Sequence, residues 1–126
     1  MAETTKIPCM AYEAEEFVHG FNLQLTPGYT VWCIDDFSKG SDRLIQIYQA
    51  IRSVSPHVFA VTNNSLVDDD HAIRVPFDIY EPLLTPLYIL PVFQIIAYLI
   101  SDELQTWNTH PRFSQFKQYV QTKTNE

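Results

Sequence analysis

Tyr29-Thr30-Val31-Trp32-Cys33-Ile34-Asp35 decides the fold. The run is β-branched, aromatic and nearly all apolar, and Gly28 and the acidic pair Asp35-Asp36 bound it. Apolar residues do not alternate with polar ones, so it reads as a strand covered on both faces, as in a parallel sheet. Ser41 then stands as a candidate N-cap. Leu44, Ile47, Tyr48, Ile51 and Val54 follow at spacings of three and four. That spacing predicts an amphipathic helix over 41–54, stopped by Pro56. Residues 58–62 form a second candidate buried strand. Residues 63–71 are polar and acidic and read as a loop. Residues 72–75 make a short third strand, ended by Pro76. Strand, helix, strand predicts a right-handed parallel α/β unit. The expected architecture is therefore α/β: three layers, αβα, around a parallel flavodoxin-like sheet.

The flanks fit this frame. Residues 12–25 read as a helix interrupted or closed around Gly20, with Phe17, Phe21, Leu23 and Leu25 as apolar anchors and Tyr12 in the core. Residues 83–100 carry no charge and are about as long as a membrane span. Pro86, Pro91 and Gln94 lie within them and no basic residues flank them, so a buried helix is expected and no membrane partner. Pro86 suits a first helical turn and Pro91 a kink. The helix is apolar nearly all round, as one wedged between a sheet and a partner subunit would be. Residues 106–126 form a polar tail carrying Phe113, Phe116 and Tyr119.

The chain has 126 residues, enough for one domain, and 46% apolar content suits a globular one. A net charge of -7 argues against nucleic acid or an anionic membrane as partner, since either needs a basic face. Cys9 and Cys33 are too few for a disulfide framework and are expected to be reduced, buried thiols in a cytoplasmic protein. No metal site, no flavin-binding loop and no secretory signal is read, and no cofactor is expected.

The chemistry-bearing run is Ala11-Tyr12-Glu13-Ala14-Glu15-Glu16-Phe17-Val18-His19-Gly20. A histidine beside carboxylates can work as an acid or base near neutral pH, and the following glycine can turn the backbone so that the side chain enters a cleft. Glu13, Glu15 and Glu16 read as helix-start or structural carboxylates.

Glu16-Phe17-Val18-His19-Gly20 resembles the E-x-x-H-G hallmark of the SIS (sugar isomerase) family. Glu3 lies upstream of His19 at the spacing of the catalytic glutamate and histidine in the isomerase domain of glucosamine-6-phosphate synthase. Residues 30–35 resemble the next strand of that fold, residues 86–99 its late apolar helix, and His110-Pro111-Arg112-Phe113 the start of its C-terminal tail. The resemblance runs in order along nearly the whole chain. It implies one C-terminal SIS subdomain over residues 1–126, with 106–126 as its tail. The relatives it points to are sugar-phosphate isomerases and fructosamine-6-phosphate deglycases.

The family's aldose–ketose chemistry moves a proton between C1 and C2 of an open-chain sugar through a cis-enediol. The resemblance implies Glu3 as the proton shuttle and His19 as the ring-opening acid/base, acting in a neighbouring subunit's site. It implies a tail lysine at the sugar carbonyl, Lys123 in preference to Lys117. The substrate would be a phosphorylated sugar or amino sugar. The family's Ser/Thr-rich phosphate loop belongs to its first subdomain, and no such loop occurs here. Ser38-Lys39-Gly40-Ser41 could hold an anion only weakly, and Phe21 replaces the usual proline after His-Gly. The sheet also lacks its first strand and should show open edges. The chain is expected not to be a complete enzyme by itself: it is a fragment of a longer protein, one half of a split enzyme completed by a separate N-terminal SIS half, or a small protein completed as a homo-oligomer. The alternative is a non-catalytic SIS module for phosphosugar sensing or subunit association.

Overall fold

Val31–Ile34 forms strand β1, Val58–Val61 strand β2 and Ala72–Ile73 strand β3. All pair in parallel in the order β1-β2-β3, with Val31 opposite Val58, Cys33 opposite Ala60, and Ala60 opposite Ala72. The computed structural model describes residues 5, 7–38, 41–67, 70–75 and 81–106. They belong to two units, Ala11–Leu90 and Met1–Met10 with Pro91–Glu126. The sheet lies wholly in the first.

Helix α1 is Ala14–His19, followed by a 3-10 turn at Phe21–Gln24; α2 is Ser41–Arg52; a 3-10 turn at Pro82–Leu84 leads into α3, Thr85–Glu103. The parallel α/β expectation is met, and the strands are shorter than the apolar runs that announced them. β1 stops at Ile34 because Asp35 turns its carboxylate back onto the chain, accepting from Phe37 N–H at 2.9 Å. β3 stops after Ile73, where Arg74 leaves the ladder and donates to the carbonyls of Thr62, Asn64 and Val67. Asn63 Oδ1 takes the Val75 N–H instead.

The sheet side chains alternate. Cys33, Val58 and Ala60 pack on Ile45, Ile47, Tyr48 and Ile51 of α2, with Val67 closing the cluster. Ala14, Phe17, Val18 and Leu25 cover its margin. Three expected apolar anchors are corrected. Leu23 is 88% exposed in the 3-10 turn. Val54 is exposed because α2 ends at Arg52 and Val54 lies in the turn beyond it, while Ile45 takes a core position instead. Tyr12 is half-buried and stacks on Phe21 with ring centroids 3.8 Å apart. Cys9 is likewise exposed, whereas Cys33 is buried.

Ser41 is the first residue of α2 and does not cap it through its side chain; its hydroxyl donates to Asp35 at 2.7 Å. Ser55, just beyond α2, is fully buried and donates to the carbonyls of Pro27 and Tyr29, pinning the turn that feeds β1. Among the described residues no strand lies beyond β1 or β3.

α3 holds Pro86 in its first turn and Pro91 in its interior. It is long and apolar enough to cross a membrane by length and composition. Thr85, Ile89, Ala97 and Ser101 are buried at four- and eight-residue steps, which is one stripe of the helix. Leu87, Leu90, Ile95, Tyr98 and Leu99 are exposed. The helix is expected to lie between the sheet and a partner subunit; among the described residues one stripe is covered and much of the apolar remainder is exposed.

Candidate functional site

α1 begins at Glu13, whose extended backbone (φ -67°, ψ 147°) lets its carboxylate accept from the N–H groups of Glu15 and Glu16 at 2.9 and 3.1 Å. Glu15 and Glu16 then sit in the first turn, where the exposed amide dipoles favour negative charge, and His19 in the last, where they favour positive charge. Gly20 N–H closes the helix on the Phe17 carbonyl. Gly20 has φ -155°, and a Cβ there would make only an ordinary contact, 3.9 Å from the Glu16 carbonyl oxygen, so glycine is not required by a left-handed backbone or a close approach.

His19 stands at the end of α1 with its side chain 81% exposed. The expected cleft is not formed around it by the described residues. Its near neighbour is Glu15, one turn earlier, with Nε2 and Oε2 4.0 Å apart. Glu15 in turn takes a two-point contact from Arg43 of α2: Nε donates to Oε1 at 2.7 Å and Nη2 to Oε2 at 3.0 Å. The Arg43 hydrogen bond holds the Glu15 carboxyl below the usual glutamate range, with the charges of Arg43 and His19 adding to it. Glu15 raises Arg43 reciprocally. Beside this pair a groove of about 330 Å³ runs between α1 and α2, lined by Phe17, Val18, Ile47 and Ile51 among others, with Asn22, Arg43 and Gln46 as polar members.

The second polar centre lies at the carboxyl ends of β1 and β2, the end where open α/β sheets place their ligands. Asp35 is only 2% exposed. Its Oδ2 accepts from the hydroxyls of Ser41 (2.7 Å) and Thr62 (2.6 Å). Asn64 donates to Ser41 Oγ and to Asp42. Phe37, two residues on, adopts φ 59°, a left-handed conformation that costs a bulky residue energy. Asp36 is held below the usual aspartate range, chiefly by the Ser38 backbone N–H. Every lone pair this arrangement uses is answered from within the chain, so it joins strand ends to a helix start.

Glu3 and Lys123, and the alternative Lys117, lie outside the described residues, as do Lys39 and Gly40 of the candidate anion loop. The described residues therefore bring no second member of the expected catalytic set to His19. Arg43 and Asp35 were not foreseen as site residues. Nothing local marks Arg43, which meets its partner across 28 positions. Asp35 carries a faint signal, an acidic pair closing one strand and a threonine closing the next. Among the described residues no cluster of three or more His, Cys, Asp or Glu could hold a metal ion.

No family model matches the sequence, and no curated protein matches it. A solved structure does: a candidate phosphosugar isomerase from Clostridium difficile 630, with a TM-score of 0.75, 23% identity and 98% of this chain covered. This chain spans 34% of that protein's length. The likeness shows that the chain has the three-layer α/β fold of that sugar-isomerase-like structure.

Proposed function

We propose that the chain is a phosphosugar-binding SIS subdomain, part of an aldose–ketose sugar-phosphate isomerase or a fructosamine-6-phosphate deglycase. The observation that carries this reading is the fold likeness over 98% of the chain to a candidate phosphosugar isomerase. The placing of His19 at the end of α1, beside a clamped carboxylate, supports it. His19 is the ring-opening acid/base, Glu3 the proton shuttle and Lys123 the tail lysine. No cofactor is needed, because proton transfer through an enediol requires only a base and an acid. A cytoplasmic location accompanies this reading. The chain spans a third of its structural neighbour, and the reading includes a completion: a second copy, a separate N-terminal SIS half, or the rest of a longer chain.

The test is turnover of fructose 6-phosphate and of a fructosamine 6-phosphate by the purified chain, alone and mixed with an N-terminal SIS half. His19→Ala should abolish turnover while leaving the assembly's mass unchanged. Full turnover in that variant overturns the role of His19.

A second reading, a non-catalytic SIS module, is favoured by one observation: His19 is 81% exposed, with no described cleft around it. Saturable binding of fructose 6-phosphate without turnover by the completed assembly would select it.

A further inference from the structure

We propose that Arg74, at the carboxyl end of β3, holds the phosphate of the ligand, with the Asn63 amide as a second donor. The inference rests on the reading of the chain as a phosphosugar-binding subdomain and names the residue that takes the phosphate. The last carbonyls of parallel strands point out of the carboxyl end of the sheet, the end where open α/β sheets place their ligands. Bare carbonyl oxygens there repel an anion. Arg74 answers them. Its Nη1 donates to the carbonyls of Thr62 at 3.1 Å and Asn64 at 2.7 Å, and its Nη2 donates to that of Val67. A guanidinium has five N–H groups. With three given to these carbonyls, the Nε–H and one Nη2–H remain, on neighbouring nitrogens of the planar fork. Such a pair suits the two-pronged contact that phosphate oxygens accept. The guanidinium thus turns an acceptor surface into a donor surface that carries positive charge.

Arg74 differs from the other described arginines. Arg43 is paired with the Glu15 carboxylate, and Arg52 reaches the Tyr48 hydroxyl and lies over its ring. Arg74 gives its bonds to neutral carbonyls, and among the described residues no ion pair takes up its charge. Asp70, four positions earlier, does not pair with it. Arg74 is exposed, so an anion has access to it. Asn63 lies between the two residues whose carbonyls share Nη1. Its Oδ1 accepts the Val75 N–H at 2.9 Å, which fixes the amide and leaves Nδ2 as a donor on the same exposed loop. The chain has no Ser/Thr-rich phosphate loop, and its net charge is -7. A phosphate is therefore held only where a local cation outweighs the general repulsion, and an unneutralised arginine at a strand end meets that condition.

The test is a heteronuclear NMR titration of the full chain with inorganic phosphate, fructose 6-phosphate and fructose, in the native protein and in Arg74→Gln and Arg52→Gln. In the native chain the Arg74 Nε–H resonance should shift saturably with both phosphates and stay in place with fructose. Arg74→Gln should weaken the binding of both phosphates by about tenfold or more, the worth of one charge-assisted fork. Arg52→Gln removes an equal charge elsewhere and should bind as the native chain does. An Arg74 resonance that ignores phosphate, or moves equally with fructose, overturns the inference whether or not the variants fold. So does native affinity in a folded Arg74→Gln, or an equal loss in Arg52→Gln, which would mean that net charge alone is read. None of these outcomes depends on turnover. An active assembly without the Arg74 response keeps the isomerase reading and loses this one, and a phosphate response without turnover does the reverse.

Discussion

Thr62 Oγ1 donates to Asp35 Oδ2 at 2.6 Å, tying the carboxyl ends of β1 and β2 across 27 residues of chain. Ser41 donates to the same oxygen and brings in the start of α2. A buried carboxylate answered by three donors holds the crossover unit together at the end where the loops diverge. Asp35→Ala would leave two hydroxyls and the Phe37 N–H without their acceptor. The expected loss is about 2–4 kcal/mol, read as a lower denaturation midpoint at unchanged slope. Thr62→Val removes one donor with little change of shape and should cost about 1–2 kcal/mol. A native midpoint in Asp35→Ala would show that the network is incidental.

Cys33 and Cys9 should separate cleanly by reactivity. Burial pushes the Cys33 thiol up to about 12, against 9.0 for an ordinary thiol, while Cys9 is exposed. The thiolate is the reactive form. A thiol reagent at neutral pH should therefore modify Cys9 alone in the native chain and both cysteines in denaturant. The sign for stability follows from linkage. The folded state favours the protonated thiol, so the stabilisation is complete below pH 9.0 and is lost as the pH rises towards 12. Cys33→Ala should flatten that alkaline fall. Equal labelling of both thiols in the native chain would contradict the burial.

How much of this was legible in the sequence depends on distance along the chain. The strand and helix order was legible because each element declares itself within its own run: an unbroken apolar stretch at residues 31–34, three- and four-residue spacing through α2. The ends were not, because they are set by side chains that leave the local pattern. Asp35 stops β1 by folding onto Phe37, and Arg74 stops β3 by reaching three carbonyls of the preceding loop. Glu13 and Glu15 were legible as structural carboxylates, and one caps α1 while the other binds Arg43. That pairing itself was not legible, since nothing near either residue announces the other. Exposure at Leu23 was missed because a 3-10 turn breaks the α-helical spacing that would have turned it inward.

On the acid side, Glu15 and Asp36 should both contribute. Glu15 is lowered chiefly by the Arg43 hydrogen bond, and Asp36 chiefly by the Ser38 backbone N–H. A carboxyl whose folded pKa is depressed adds stability that is present above its unfolded value and lost as the pH falls through the folded one. The ordinary values are 4.5 and 3.8, so the loss should begin as the pH drops towards 4.5 and continue below 3.8. Both groups face solvent, so each effect is small. Glu15→Gln and Asp36→Asn should each shallow the acid limb of a stability–pH curve. An unchanged limb in both variants would show that solvent screens the two interactions out.

The uncovered side of α3 gives the last prediction. Leu87 and Ile95 are 66% and 59% exposed on a helix that bears no charge from Thr85 to Ser101. Elsewhere the chain is acidic, with a net charge of -7, so two copies repel one another over most of their surface. An uncharged apolar face is the surface on which that repulsion is weakest and apolar burial gains most. Light scattering on a sizing column should therefore give a mass at least twice the 14.6 kDa of one chain. Leu87→Lys combined with Ile95→Lys should return the mass to a single chain, because each copy would carry unpaired charge into the contact. Raising the salt concentration should strengthen association of the native chain by screening its acidic surface. A native chain that runs as a folded monomer at every concentration removes the second copy as the completing partner. A separate N-terminal half, or the rest of a longer chain, would then be the completion to seek.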